Sequence, residues 1–505
     1  MLLIKPDSYR RRKLGSFSRY VPLSVPVGIG YLASYLTSHG KTVWISDEEA
    51  AGPSEKMVSE YTREAKRPYI FGLSCLTAGV ARANEIAGVV KERYPDSKVI
   101  FGNMHPTVLA AEVLKDSNVD IVVRGEGEET LDALYEKIKT GSDYGSLKGI
   151  SFRRDGAVIH NEDAPLPDLA GIPRFPYHLF KQHSERYDLG SIASSRGCPY
   201  NCIFCSQRSI SGRRYRFFPS EIVIQDIEKL VTEYRCPSIV FVDDSFIVNR
   251  ERILRLCAMI REGGFHKNTI FDCQVRGDTV DEEVLGALKE SGFRTLHFGI
   301  ETASERLMKL VDKRETVRQV TDGIRMAQKF GFQISGTFIL GLPTETRDER
   351  KMAYRLAGEL SLDYVRFNNA TPYPGTKLYE IAVEEKRLNA GDNWENLNAC
   401  GTLVSSVFKN NRLAYVPASV SEKELKHDIL KYNLLYSFRP QSVFRVLKDR
   451  IGPAGWLTLP RRWYLKPKEW AYLISFGFSI LCSFAKIFIY EGELFVNRVM
   501  GRGNR

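Results

Sequence analysis

Short apolar runs alternate with helical patterns along most of this chain, and that alternation restricts the architecture more than any other feature. From residue 1 to about 150 the runs are Leu2 to Ile4, Val43 to Asp47, Ile70 to Cys75, Lys98 to Gly102 and Asp120 to Arg124. Helical stretches fit between them, notably Gly30 to His39 and Ala81 to Arg93, with Gly or Pro at the ends of the runs. Such a series reads as α/β: a doubly wound parallel-sheet domain over 1–150, with ligands expected at the carboxyl ends of its strands.

Pro165, Pro167, Pro173 and Pro176 break the rhythm, so residues 151–185 read as a linker. A second series begins at about Leu189, with strands expected at Gly190 to Ser194, Ser238 to Val242, Thr269 to Val275, Thr295 to Gly299, Gln333 to Leu340 and Asp363 to Asn368. Helical stretches such as Glu221 to Tyr234 and Glu251 to Glu262 separate them. Six β/α units over 186–385 imply a partial (β/α)6 barrel, and the remainder, 386–505, reads as a mostly helical C-terminal region. At roughly 150 residues per domain, 505 residues suit three such parts. The 43% apolar and 26% charged residues exclude both a disordered regulator and a polytopic membrane protein.

Nine cysteines and no secretory signal at the start predict a reducing, cytoplasmic setting in which thiols stay free unless a metal holds them. Cys75, Cys236, Cys257, Cys273, Cys400 and Cys482 are scattered among apolar residues, where a thiol behaves as a small hydrophobe. The other three lie in Ser195-Arg-Gly-Cys198-Pro-Tyr-Asn-Cys202-Ile-Phe-Cys205, directly after the first strand of the second series. Three thiolates on one short loop can bind three irons of a four-iron cluster and leave the fourth iron open to an outside ligand. A structural zinc site is the alternative, but it normally takes four ligands and prefers Cys-x-x-Cys pairs, and this loop holds no fourth Cys or His.

With this spacing the sequence resembles the radical S-adenosylmethionine (SAM) enzymes, which carry it at the end of the first strand of a partial β/α barrel. Phe204 stands where that family usually has an aromatic, and the resemblance implies that its backbone touches the adenine. Phe241-Val-Asp243-Asp244-Ser-Phe246 looks like the segment holding the methionine amino group. Arg276, the Gly299-Ile300-Glu301 triplet, and Gly336 to Pro343 with Ile339 and Gly341 are similar to the segments that meet the SAM carboxylate, ribose and adenine. SAM carries an amine, a carboxylate and a diol, and each needs a polar partner at a strand's carboxyl end.

The first domain resembles the cobalamin-binding domain found ahead of one large radical SAM class, which extends the resemblance to about residues 1 to 385. Gly28 leads into the first helix, Ser74 closes a strand, Gly102 and then His105-Pro106 follow the next, and Gly125-Glu126 follow the last. Small residues there let a flat corrin approach the backbone. The Asp-x-His-x-x-Gly segment that supplies an axial histidine in some cobalamin proteins is absent, and the usual double glycine reads Gly102-Asn103. Cobalamin is therefore expected without a protein histidine on cobalt, although His105 counts among the residues around the corrin.

The cofactors implied are a 4Fe–4S cluster on Cys198, Cys202 and Cys205, SAM, and cobalamin. The resemblance implies that SAM cleavage yields a 5′-deoxyadenosyl radical, which takes a hydrogen from an unactivated carbon that is then methylated from methylcobalamin. Oxidation or ring closure with the same cofactors is the rival within enzymes, and a corrinoid- or redox-sensing binding protein the rival outside them. A low-potential electron donor such as ferredoxin or flavodoxin follows as a partner; no residue is assignable as acid or base.

The basic excess of +11 is concentrated near the end of the chain. Arg439, Arg445, Lys448, Arg450, Arg461, Arg462, Lys466 and Lys468 stand against Asp449 alone, so this segment carries +7. Sixteen uncharged residues from Trp470 to Ala485 follow, short for a span of about 20. Ser475, Ser479 and Ser483 recur every four residues, giving a narrow polar stripe on an apolar helix. An interfacial helix beside a polybasic segment predicts an anionic membrane surface and a lipid-soluble, isoprenoid-like substrate taken from it; a buried packing helix is the other reading. The aromatics do not interleave with the basic residues, which argues against nucleic acid.

Overall fold

The computed structural model describes residues 1–8, 23–183, 186–391, 394–399, 412–441, 481, 484–485 and 487–493. Five parallel strands form the core of the first domain: β1 (Leu2–Lys5), β2 (Trp44–Asp47), β3 (Ile70–Ser74), β4 (Lys98–Gly102) and β5 (Ile121–Val123). They stand in the order β2-β1-β3-β4-β5. Alternate side chains serve opposite faces, as a strand demands. Leu2, Ile4, Phe71, Leu73, Val99 and Phe101 pack with Ala83, Ile86 and Val90 of one helix. Leu3, Ile70, Ile100 and Ile121 pack with Ile29, Ala33, Leu131 and Leu134 on the other side. Two separate cores, one per face, make the sheet doubly wound.

Residues 150–160 depart from the expected linker. β6 (Ile150–Arg154) and β7 (Ala157–His160) form an antiparallel hairpin that extends the same sheet beyond β5. Their sequence carries a turn, Asp155-Gly156, with both residues at positive φ, which closes the hairpin. The proline-rich stretch after it holds two 3-10 turns, Leu169–Gly171 and Tyr177–His183, and leads to the second domain.

There, β8 (Ser191–Ile192), β9 (Ser238–Phe241), β10 (Ile270–Val275), β11 (Phe293–Glu301), β12 (Gln333–Leu340) and β13 (Tyr364–Asn369) are parallel and adjacent in chain order. This is the expected open barrel of six strands, with β8 and β13 as its edges. The edge at β13 is covered by α1 (Glu422–Ser437). The Asn433 side chain donates to the Phe367 carbonyl at 2.8 Å and accepts from the Phe367 N–H at 3.1 Å, replacing a neighbouring strand. Arg350, fully buried, donates to Asp428 and Glu424 of that helix, each at 2.7 Å. Of the polybasic segment only Arg439 falls among the described residues, stacked on Tyr436 at 3.4 Å. Trp470 to Ile480 lie outside them. Ile487 is buried on Leu430 and Leu434, whereas Leu481, Phe488 and Ile489 are exposed. No helix among the described residues is long and apolar enough to cross a membrane.

Candidate cofactor site between the domains

The cysteine loop is shaped by one glycine. Gly197 has φ +84, and a Cβ there would lie 2.1 Å from the Arg214 carbonyl oxygen, so no other residue fits before Cys198. On one side, Ser195–Arg196 pairs antiparallel with Arg216–Phe217. On the other, the Ile203 N–H donates to the Val311 carbonyl at 3.0 Å and the Ile203 carbonyl accepts from Leu378 at 2.9 Å. The loop is thus held at three places before any metal arrives.

Within it, the backbone N–H groups of Tyr200 and Gln207 donate to the sulfurs of Cys198 and Cys205. Burial raises all three thiols, Cys202 to about 12 and Cys205 to about 11. Bare thiolates would be costly there, and iron offsets that cost. The donor set fits a four-iron cluster.

The expected SAM residues separate into two groups. Asp244 lines the cavity described below, accepts the Gly197 N–H at 2.9 Å and the Gln207 side chain, and is raised to about 6 by burial. Glu301, at φ 64, is buried 3.5 Å from Lys313, and its charge is felt at Cys202 and Cys205. Phe204 is half-buried against the barrel core, and Ile339 sits on the concave face near the end of β12.

The remaining three residues named from the sequence, Asp243, Arg276 and Gly341, are engaged by protein neighbours. Asp243 accepts from the Ser194 N–H at 3.2 Å, from the Ser194 hydroxyl at 2.9 Å and from the Ser195 hydroxyl, so it holds the root of the cysteine loop. Arg276 forms two hydrogen bonds to Asp278 at 2.8 and 2.9 Å and stacks 3.5 Å over Tyr200, bracing the loop from outside. Gly341 lies under Leu425 of α1, where a Cβ would approach to 2.6 Å.

At the carboxyl ends of β1, β3, β4 and β5 a cavity of about 460 Å3 opens toward the barrel. Gly28, Ser74, Gly102, Gly125 and Glu126 line it, joined by Tyr31 and Asn103. Its opposite wall comes from the second domain: Ser195, Arg196, Gln207, Ile210 and Asp244. A Cβ on Gly28 would meet nothing within 4 Å, and one on Gly102 only the Val123 carbonyl at 3.6 Å, so these walls leave room for a flat ring. Asn103 has φ 83 and ψ −169, a glycine-like conformation, and its side chain donates to Ser74 at 2.9 Å and accepts the Met104 N–H at 2.7 Å. That is how Asn serves in place of the second glycine. The wall fits a corrin.

His105 and Pro106 are off this wall. His105 is 2% exposed, stacked edge-on against Trp394 at 5.1 Å, and pushed down to about 4 by burial. His105 is therefore not among the residues that line the cavity.

The reading from sequence missed Arg196 and Gln207. Arg196, two residues before Cys198, pairs with Glu126 at 2.8 Å and Glu128 at 2.7 Å of the first domain and lies 4.9 Å over the Tyr31 ring. Arg216 joins Glu126 as well. Their only signal in sequence was proximity to the cysteines, because their partners lie outside the loop: Glu126 is 70 residues from Arg196, and Gln207 meets Asp244 at the end of another strand.

Comparison with known proteins agrees with this geometry. A model of the B12 binding domain matches residues 20–135, and one of the radical SAM superfamily matches residues 192–357. An uncharacterised methyltransferase of Pyrococcus horikoshii is 31% identical over 420 residues, 81% of this chain and 90% of that protein. The anaerobic magnesium-protoporphyrin IX monomethyl ester cyclase of Rubrivivax gelatinosus is 27% identical over 70% of this chain and 66% of its own length. The hopanoid C-2 methylase of Rhodopseudomonas palustris is 30% identical over 55% of this chain and 51% of its own. Among solved structures, the radical SAM methyltransferase TsrM of Kitasatospora setae, with cobalamin and a [4Fe–4S] cluster bound, shares the fold at TM-score 0.64 and 19% identity, over 76% of this chain and 74% of that one. The cysteine loop facing a glycine-walled cavity, the two domain matches and the relative that is 31% identical over 81% of this chain together place it in the cobalamin-dependent radical SAM methyltransferase family, whose cofactors are a 4Fe–4S cluster, SAM and cobalamin.

Proposed function

We propose that the protein methylates an unactivated carbon of a lipid-soluble, isoprenoid-like substrate held on the concave face of the barrel. One observation carries the reading: a single cavity is walled by the strand ends suited to a corrin and by Ser195, Arg196, Gln207 and Asp244 around the cysteine loop. A methyl carrier and a radical source are therefore neighbours across one space. When bound, the cluster with SAM supplies a hydrogen-abstracting 5′-deoxyadenosyl radical and cobalamin supplies the methyl group.

The protein's part is placement. Gly197 and Asp243 fix the loop, Asp244 and Gln207 present polar atoms to the cavity, and Glu126 and Glu128 hold Arg196 so that the two domains keep one register. The balance per turnover is two SAM, one substrate C–H and two electrons in; methylated substrate, 5′-deoxyadenosine, methionine and S-adenosylhomocysteine out. A low-potential donor such as ferredoxin or flavodoxin supplies the electrons. The hopanoid methylase relative and the polybasic segment beside an apolar stretch support the substrate class and a peripheral place on an anionic membrane face.

The cyclase relative supports a second reading, radical oxidation or ring closure. Counting products of the reduced, reconstituted protein separates the two. Methylation yields S-adenosylhomocysteine together with 5′-deoxyadenosine, whereas 5′-deoxyadenosine alone would favour oxidation.

A further inference from the structure

The two faces of the barrel strands differ in chemistry. Outward residues such as Cys273, Phe298, Phe338 and Phe367 are buried in the core shared with the helices. The alternate residues, turned to the concave face by the pleat, include Gln274, His297, Ser335, Thr337, Arg366 and Asn368. The register makes them neighbours: Gln274 lies opposite His297, His297 opposite Ser335, and, one row nearer the cysteine loop, Thr337 opposite Arg366. Asn368 stands one row nearer still, opposite Ile339.

None of these six side chains makes a hydrogen bond or ion pair with another described residue, although all but Gln274 and Arg366 are half-buried. The Arg366 guanidinium offers five donors in a plane and has no carboxylate across from it. Of the acids on the neighbouring strands, Glu301 is held 3.5 Å from Lys313, and Asp272 sits deeper, opposite Thr295, whose N–H it accepts at 2.9 Å. Burial holds His297 below its ordinary range, with the Asp272 charge opposing that shift and the Arg366 charge adding to it. Unspent donors around one uncompensated arginine complement an oxyanion.

We propose that the substrate carries an anionic oxygen group, a carboxylate or a phosphate, that Arg366 binds on the concave face with Gln274, His297 and Asn368 around it. This rests on the reading above that the barrel holds the substrate, and it makes that substrate an amphiphile with an acidic head. The head would sit below the cysteine loop, so that the reacting carbon of the apolar part lies on the cofactor side or along the open edge.

The test uses equilibrium binding to the full-length, cofactor-loaded protein of three twelve-carbon probes below their aggregation range: dodecyl phosphate, dodecanoate and dodecanol. At least one anion should bind tenfold or more tightly than dodecanol, and which anion leads tells phosphate from carboxylate. Arg366→Gln should remove that preference and Arg366→Lys retain part of it, with iron content and corrin absorption as controls for folding. Equal affinities for all three probes in the unaltered protein overturn the proposal whatever the variants do. A preference that persists in Arg366→Gln also overturns it, since the basic C-terminal segment would then be the anion's partner. Binding is read without turnover, so these outcomes are independent of whether S-adenosylhomocysteine is formed.

Discussion

Gly197 shows how a single residue sets the site. Any side chain at φ +84 would be strained, and here it would also collide with the Arg214 carbonyl. Gly197→Ala should therefore displace Cys198 and lower iron content after reconstitution to below about half. Cys198→Ala, Cys202→Ala and Cys205→Ala should each abolish cluster binding and SAM cleavage, because the loop has no spare thiol; iron analysis checks all four. His105 gives a pH prediction. Its folded pKa of about 4 lies below the unfolded value of about 6.5, so its titration does not change stability above pH 6.5. As pH falls from 6.5 to 4 only the unfolded chain takes up the proton, and stability on the order of 3 kcal/mol is lost. His105→Phe should flatten that slope, and denaturant midpoints at pH 7 and pH 5 measure it.

At the scale of elements, α1 closes the barrel edge with polar groups rather than a seventh strand. Asn433 satisfies the Phe367 backbone, and Arg350 would be a fully buried charge without Asp428 and Glu424. Asp428→Ala leaves that guanidinium short of its partner at 2.7 Å, which should destabilise the protein by about 3–5 kcal/mol. Arg350→Met with Asp428→Leu removes both charges and should recover most of the loss. Thermal unfolding of the two variants measures the difference, and equal losses would show that α1 docks through its apolar contacts, such as Tyr432 on Tyr354.

For the whole molecule, charge and apolar surface are unevenly placed. Seven of the eleven net positive charges lie in one 30-residue segment of the sequence, and Leu481, Phe488 and Ile489 farther on are exposed. Each basic residue near an anionic surface contributes on the order of 1 kcal/mol, and buried apolar side chains add to it. The full-length protein should float with anionic liposomes, and a version ending at Pro467 should float less. Equal flotation of both would leave the apolar stretch without a membrane role.

Periodicity and short-range spacing are properties of the sequence, and what rests on them was legible there. The strand runs, both α/β series, the three cysteines and the small residues at strand ends all depend on neighbours within about ten positions, because pleat, helix pitch and loop geometry are local. The hairpin at 150–160 was misread because the following prolines outweighed a short Asp155-Gly156 turn. What tertiary structure alone decided is which polar groups remain available. Asp243 and Arg276 resemble cofactor ligands in sequence, and only the fold shows that Asp243 also accepts from Ser194 and Ser195 and that Arg276 also donates to Asp278. Arg196 had only its proximity to the cysteines as a signal and Arg366 had none; one is committed to Glu126 and Glu128 across the domain boundary, and the other faces an open barrel without a counter-charge. A side chain has a fixed number of donor and acceptor sites, and residues far apart in the chain determine which of them are taken.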